Sequence, residues 1–279
     1  MGTSTSSSGP RGGVPFDPPW LNQLDDAPME GGIPEPIINV DGTPQTPLPR
    51  EAIGFAPSAR FKQARQELGV FARTGNRDSL GKAIGHYSRS GMGGAQNATA
   101  RMRVSTKSAA GLVTFLQATR DGSDNQVNQW VTTLASQSPS AQDVINEIIN
   151  QVTTSGGSLE EESCKDSMAQ AMAELLESQP DIDLLNMDDN NIWSVAELFL
   201  GHEACNRLQI DIGQRFESST LSPRDAVVRV NEMHEFLKAE ISNQMDLLRA
   251  RNTNPSPRQL ESIMQLAIKN TFSIYEGLL

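Results

Sequence analysis

Apolar positions are scattered up to residue 57 and then take on a helical rhythm that persists to the end of the chain. From Ser58, SARFKQARQELGVFAR sets Phe61, Ala64, Leu68 and Phe71 (or Ala72) on one face and Arg and Lys on the other. GNRDSLGKAIGHYSRSGMGG predicts a shorter helix closed by glycines, with SRSGMGG (Ser88 to Gly94) as a loop between helices. AQNATARMRVSTKSAAGLVTFLQA follows, rich in small residues that let helices approach closely. SLEEESCKDSMAQAMAELLES opens with a capping-box pattern, Ser158 to Glu161. NIWSVAELFLGHEACNRLQIDIGQRFE is strongly apolar on one side, and the DDNN before its Ile192 supplies N-cap residues. SPRDAVVRVNEMHEFLKAEISNQMDLLRA starts with Ser222 as N-cap and Pro223 at the first helical position, and Val227, Val230, Leu237, Ile241 and Leu248 keep helical spacing. SPRQLESIMQLAIKNTFSIYEGLL repeats that start at Ser256 and Pro257. Alternating strand patterns and 20–50-residue repeats are absent. The expectation is an all-α bundle of about seven to nine helices behind an N-terminal arm.

The arm is marked by composition. Eleven of the 16 prolines fall at or before Pro57, among clusters of Gly and Ser. Proline removes a backbone donor and fixes φ, so neither a helix nor a central strand runs through PEPIINVDGTPQTPLP. Residues 1–57 are expected to be disordered or extended. Two apolar pieces stand out, Pro15 to Leu21 and Ile37 to Val40. Phe16, Trp20 and Leu21 are costly to leave in water and read as docking anchors for the chain's own body or for a partner. The chain thus divides into an arm over 1–57, a basic helical region over 58–120 and an acidic helical body over 121–279 that forms one domain with it.

Charge sharpens this division. The chain has a net charge of −11, but residues 58–107 alone carry ten basic and two acidic side chains. A basic module therefore lies between an acidic arm and an acidic body. Its cations are Arg60, Lys62, Arg65, Arg73, Arg77, Lys82, Arg89, Arg101, Arg103 and Lys107. They could contact phosphates, an acidic partner or the chain's own acidic helices.

Catalytic and metal chemistry finds little purchase. The three histidines, His86, His202 and His234, have no metal-ligand spacing, and HEACN puts Asn206 where HExxH needs its second His. His234 lies near an apolar stripe and reads as a packed or boundary histidine. His202 and Cys205, three apart on one helix, could be drawn as a nucleophile pair, a spacing common by chance. SRSGMGG lacks the Lys-Ser/Thr of a phosphate-binding loop and follows a helix, and DDNN lacks the spacing of a calcium loop. Cys164 and Cys205 form no CxxC pair and read as free thiols in a reducing cytoplasm. There is no apolar run of membrane-spanning length, and the start lacks the apolar core of a secretory signal. No metal, cofactor or membrane role is expected.

The start of the chain carries chemistry of its own. MGTSTS satisfies a myristoylation pattern, which needs a eukaryotic acyltransferase. More simply, removal of Met1 would leave Gly2 with a free α-amine of pKa about 7.7–8.0, partly unprotonated at neutral pH. Gly2 is unhindered, and the Thr and Ser residues behind it make a tail supple enough to thread into an active site.

MGTSTSSSGPRGGVPFDPPWL resembles the start of the QatB proteins of bacterial Qat anti-phage operons. ARFKQARQELGVFARTGNRDSLGKAIGHYSRSGMGGAQNATARM resembles their basic helical region, so the likeness covers roughly residues 1–120. The resemblance implies three operon partners: a P-loop ATPase, a QueC-like enzyme and a TatD-like nuclease. It implies a non-catalytic cytoplasmic chain whose Gly2 amine attacks an adenylated 7-deazaguanine carboxylate on the QueC-like enzyme and is conjugated as an amide. Thr3 and Ser4 would then belong to the threading tail, and Phe16, Pro18, Pro19 and Trp20 to the docking element. The alternative is a nucleic-acid-binding adaptor or sensor using the basic helices over 58–107.

Overall fold

The computed structural model describes residues 37–45, 59–153, 158–217 and 221–279. The chain is all-α, with eleven helices among the described residues. They are α1 (Lys62–Thr74), α2 (Arg77–His86), α3 (Ala95–Ala100), α4 (Arg103–Asp121), α5 (Asn125–Ser136), α6 (Ala141–Val152), α7 (Leu159–Ser178), α8 (Asp189–Ile212), α9 (Gln214–Glu217), α10 (Pro223–Arg251) and α11 (Pro257–Glu276). The number exceeds the seven to nine expected because the small-residue stretch after residue 94 divides into α3 and α4, and the turn at Gly213 separates the short α9 from α8. No helix among the described residues is long and apolar enough to cross a membrane.

Local signals set most helix starts. Ser158 and Ser256 each form a reciprocal capping box, with Glu161 and Gln259 respectively. Ser222 accepts from the Asp225 amide with Pro223 in the first turn, and Asp188 caps α8 by accepting from Asn191. Each such cap contributes on the order of 1 kcal/mol by satisfying an amide that the helix itself leaves open.

Packing is organised around α8, on which α7, α10 and α4 converge. Every residue of α8 from Phe199 to Cys205 is buried, the mark of a helix enclosed on all sides. A second layer centres on α11, which meets α2, α3, α4 and α10. The expected stripes are found with one exception. Phe61, Ala64, Leu68 and Phe71 are buried, as are Leu237, Ile241 and Leu248, but Val227 is 60 % exposed. At 29 residues α10 spans about 43 Å, against about 36 Å for the 24 residues of α8. Its first buried residue is Met233, so its opening turns lie outside the core despite their helical spacing.

The expected loop at Ser88–Gly94 is also corrected. Residues Tyr87–Met92 continue α2 as a π-helical segment, and the chain turns only at Gly93, whose φ is 83°. Packing accounts for the difference. The Tyr87 ring stacks on Phe61 with centroids 5.6 Å apart and meets Phe272 of α11 at 6.1 Å. Its hydroxyl donates to Asp211 Oδ2 at 2.9 Å, and Ser88 Oγ donates to Glu276. Gly91 lies so close to Phe61 that a Cβ would come within 2.5 Å of the ring.

Ahead of the helices, Ile37–Ile38 (β1) and Pro44–Gln45 (β2) form an antiparallel pair with Ile37 opposite Gln45. Asp41 closes the turn by accepting from the amide and hydroxyl of Thr43. The hairpin is seated on the helices. Ile37 is buried, and the Asn252 side chain after α10 pairs with Ile38 as a strand would, accepting from its N–H at 2.9 Å and donating to its carbonyl at 2.8 Å. Of the two apolar pieces of the arm, the one that begins at Ile37 therefore docks on the chain's own body.

Candidate functional site

The basic region sorts into two sets. Arg60 is buried with its guanidinium 4.8 Å from the Phe61 ring, and Arg65 donates to the Asp211 carbonyl at 2.9 Å. Arg101 and Arg103 are half-buried and engaged with neighbouring groups. Lys62, Arg73, Arg77, Lys82, Arg89 and Lys107 are exposed. Lys62 and Arg73 lie on α1, Arg77 and Lys82 on α2, Arg89 on the π-helical segment and Lys107 on α4. The first set fastens helices through the aliphatic and planar parts of arginine, and the second presents charge to solvent.

Two polar clusters tie the central helices together. In the first, Glu203 of α8 is fully buried and accepts three hydroxyls. Ser105 of α4 donates to Oε2 at 2.6 Å, and Ser163 and Ser167 of α7 donate to Oε1 at 2.7 and 2.8 Å. Asn206 donates to Ser167 in turn. The Cys164 thiol sits 3.6 Å from Oε2, and burial, reinforced by the Glu203 charge, pushes it up to about 12. A thiol so placed stays protonated at neutral pH and is no nucleophile. The arrangement holds α4, α7 and α8 in register through one carboxylate whose lone pairs are satisfied.

The second cluster joins α7, α8 and α10. Glu174 accepts from Lys238 at 2.9 and 3.1 Å and meets His202 Nε2 at 2.9 Å, while Lys238 also reaches Glu235 at 2.8 Å. Burial acts to raise the Glu174 carboxyl, but the hydrogen bonds from Lys238 and His202 outweigh it and leave it below its ordinary value. His234 packs its ring 6.3 Å from His202 and is lowered to about 4, by burial first and then by the nearby cations. That matches its reading as a packed histidine.

His202 and Cys205 do not form a nucleophile pair. The His202 ring is engaged with Glu174, and the Cys205 thiol lies on the His234 carbonyl at 3.9 Å, its pKa raised by burial. Among the described residues, no three or more His, Cys, Asp or Glu side chains are placed to hold a metal ion. Sequence reasoning took HEACN as a failed metal motif and missed Glu203, whose sign was an acidic residue close behind the apolar run LFLG of the same helix. The proposed acceptor Gly2, the tail residues Thr3 and Ser4, and the docking residues Phe16, Pro18, Pro19 and Trp20 lie outside the described residues.

A family model described as QatB, the Qat anti-phage system associated protein QatB, matches residues 93–275. The matched span is the helical body from the π-segment turn through α11. It overlaps the segment that carried the sequence resemblance, roughly residues 1–120, only over 93–120. No curated protein and no solved structure matches the chain.

Proposed function

The chain belongs to the QatB family and so is a component of the Qat anti-phage system, and on that premise we propose that it serves as a protein substrate whose Gly2 amine is conjugated to a 7-deazaguanine by a QueC-like partner. The observation that carries this reading is the sequence Met1-Gly2 followed by Thr3, Ser4, Thr5 and Ser6. Met before Gly is readily trimmed. The exposed α-amine, with a pKa of about 7.7–8.0, is a far better nucleophile at neutral pH than a lysine at about 10.4. The amine attacks the carboxylate carbon of the acyl-adenylate, AMP leaves, and the amine proton passes to solvent. Adenylation and its ATP belong to the partner. Phe16, Pro18, Pro19 and Trp20 give that partner an aromatic, proline-stiffened element to grip.

In this reading the chain is non-catalytic and cytoplasmic. Cys164 and Cys205 are buried, protonated thiols, so neither supports a cysteine nucleophile. The helical body acts as the adaptor to the operon's P-loop ATPase and its TatD-like nuclease. The test is intact and N-terminal-peptide mass spectrometry of the untagged chain, expressed with and without the operon's other genes. A partner-dependent mass increase on Gly2, abolished in Gly2→Pro, is expected. A bare Gly2 under both conditions would sink the proposal.

A second reading has an observation of its own. Five exposed cations, Lys62, Arg73, Arg77 and Lys82 of α1 and α2 with Arg89 of the π-helical segment that continues α2, give that part of the molecule the means to contact nucleic acid. A gel shift that weakens steeply with salt, and that charge reversal at Arg73 and Arg77 diminishes, would favour it.

A further inference from the structure

At the end of the molecule where α1 packs against α2, a cleft of about 510 Å³ opens beside the π-helical segment. Lys82 and His86 of α2 line it, followed by Arg89 and Ser90 of the π-helical segment. Glu67 of α1 contributes the one carboxylate side chain, and Leu278 and Leu279 beyond α11 form an apolar wall. Lys82 and Arg89 are exposed and make no ion pair among the described residues. The His86 Nδ1 is buried without a hydrogen-bond partner. Most other cations of α1 and α2 either serve the core or stand on open surface. These two share a concavity with a histidine.

We propose that this cleft is a binding site for a phosphate-bearing ligand of about mononucleotide size. The volume lies within the roughly 300–1,000 Å³ of small-molecule sites. A guanidinium can take two phosphate oxygens in parallel, an ammonium adds a compact second charge, and a serine hydroxyl supplies a neutral donor. Leu278 and Leu279 would cover the ligand's less polar part, and Glu67 would accept from a donor group on it. The π-helical geometry matters because it carries Arg89 and Ser90, and it is fixed from behind by Tyr87 on Asp211 and Ser88 on Glu276. Single π turns of this kind often occur at functional sites.

This proposal does not rest on the conjugation of Gly2, and its test needs no partner protein. Isothermal titration of the full chain would use pyrophosphate, AMP, and one short single-stranded oligonucleotide with or without a 5′-phosphate. Binding of pyrophosphate or AMP in the submillimolar range is expected. Lys82→Ala and Arg89→Ala should each weaken it at least tenfold, with unchanged thermal melting. Arg224→Ala, which removes an exposed cation of α10 outside the cleft, should leave it unaltered. AMP binding that ignores the oligonucleotides would identify a free nucleotide as the source. Tighter binding of the 5′-phosphorylated strand than of its 5′-hydroxyl form would identify a strand end. No binding of any probe, or equal weakening by Arg224→Ala, would overturn the proposal.

Discussion

Replacing Ser105 with alanine removes one of the three hydroxyls that satisfy the buried Glu203 carboxylate. Ser105 is 1 % exposed and Glu203 fully buried, so bulk water does not take the place of the lost donor. Oε2 is left with the Cys164 thiol at 3.6 Å, a weak donor at long range. A hydrogen bond to a charged group is worth about 1.5–3 kcal/mol, and an unsatisfied buried acceptor keeps its full desolvation penalty. The expected loss is therefore about 2 kcal/mol, which lowers the melting temperature of a chain this size by roughly 4–8 °C. A double-mutant cycle isolates the cause. In a Glu203→Gln background the hydroxyl meets a neutral amide, so Ser105→Ala should cost only about 1 kcal/mol. Urea unfolding of the four proteins, followed by circular dichroism, measures both quantities. Equal loss in the two backgrounds, or a loss under about 0.5 kcal/mol in the first, would refute the view that the carboxylate organises this junction.

Asn252→Ala should release the β1–β2 hairpin, because it removes both bonds to Ile38; faster hydrogen exchange at the Ile38 amide would show it, with a global loss of only about 1 kcal/mol. Gly85→Ala would drive a Cβ into the Tyr275 carbonyl where α2 crosses α11, at a cost of about 1–3 kcal/mol in thermal or urea unfolding. Gly111→Ala, whose Cβ would meet only Val152 at 3.6 Å, should instead be neutral or stabilising by up to about 1 kcal/mol through helix propensity. Glu197 is raised to about 7, by burial first and then by Asp246. Its folded value lies above its unfolded one, so its contribution to stability is complete below about pH 4.5 and is lost as pH rises through 7. Glu197→Gln should therefore raise the urea midpoint at pH 8 and leave it little changed at pH 4.5, and an advantage of equal size at both pH values would contradict the assignment.

Helix positions were largely legible from the residues alone. A Ser-x-x-Glu or Ser-Pro start acts through bonds that close within four residues, so Ser158, Ser222 and Ser256 announce their helices whatever packs on them later. Apolar spacing likewise identified the buried faces of α1 and of the later turns of α10. It could not show that Val227 lies outside the core, since exposure depends on how far the neighbouring helices extend.

The rest depends on contacts distant in sequence. Arg65 and Arg89 are indistinguishable as letters in a basic stretch. One turns to the Asp211 carbonyl 146 positions away, and the other opens onto a cleft walled by the last residues of the chain. Glu203 became the centre of a junction only when α4 and α7 brought three serines to it. Likewise, the π-helical segment owes its form to Phe61, Asp211, Phe272 and Glu276, none of them its neighbour in sequence. Local hydrogen bonding and apolar period, both short-ranged, were therefore written in the sequence. The direction each charge faces was settled by tertiary packing, because desolvating a charge is tolerable only where a partner meets it.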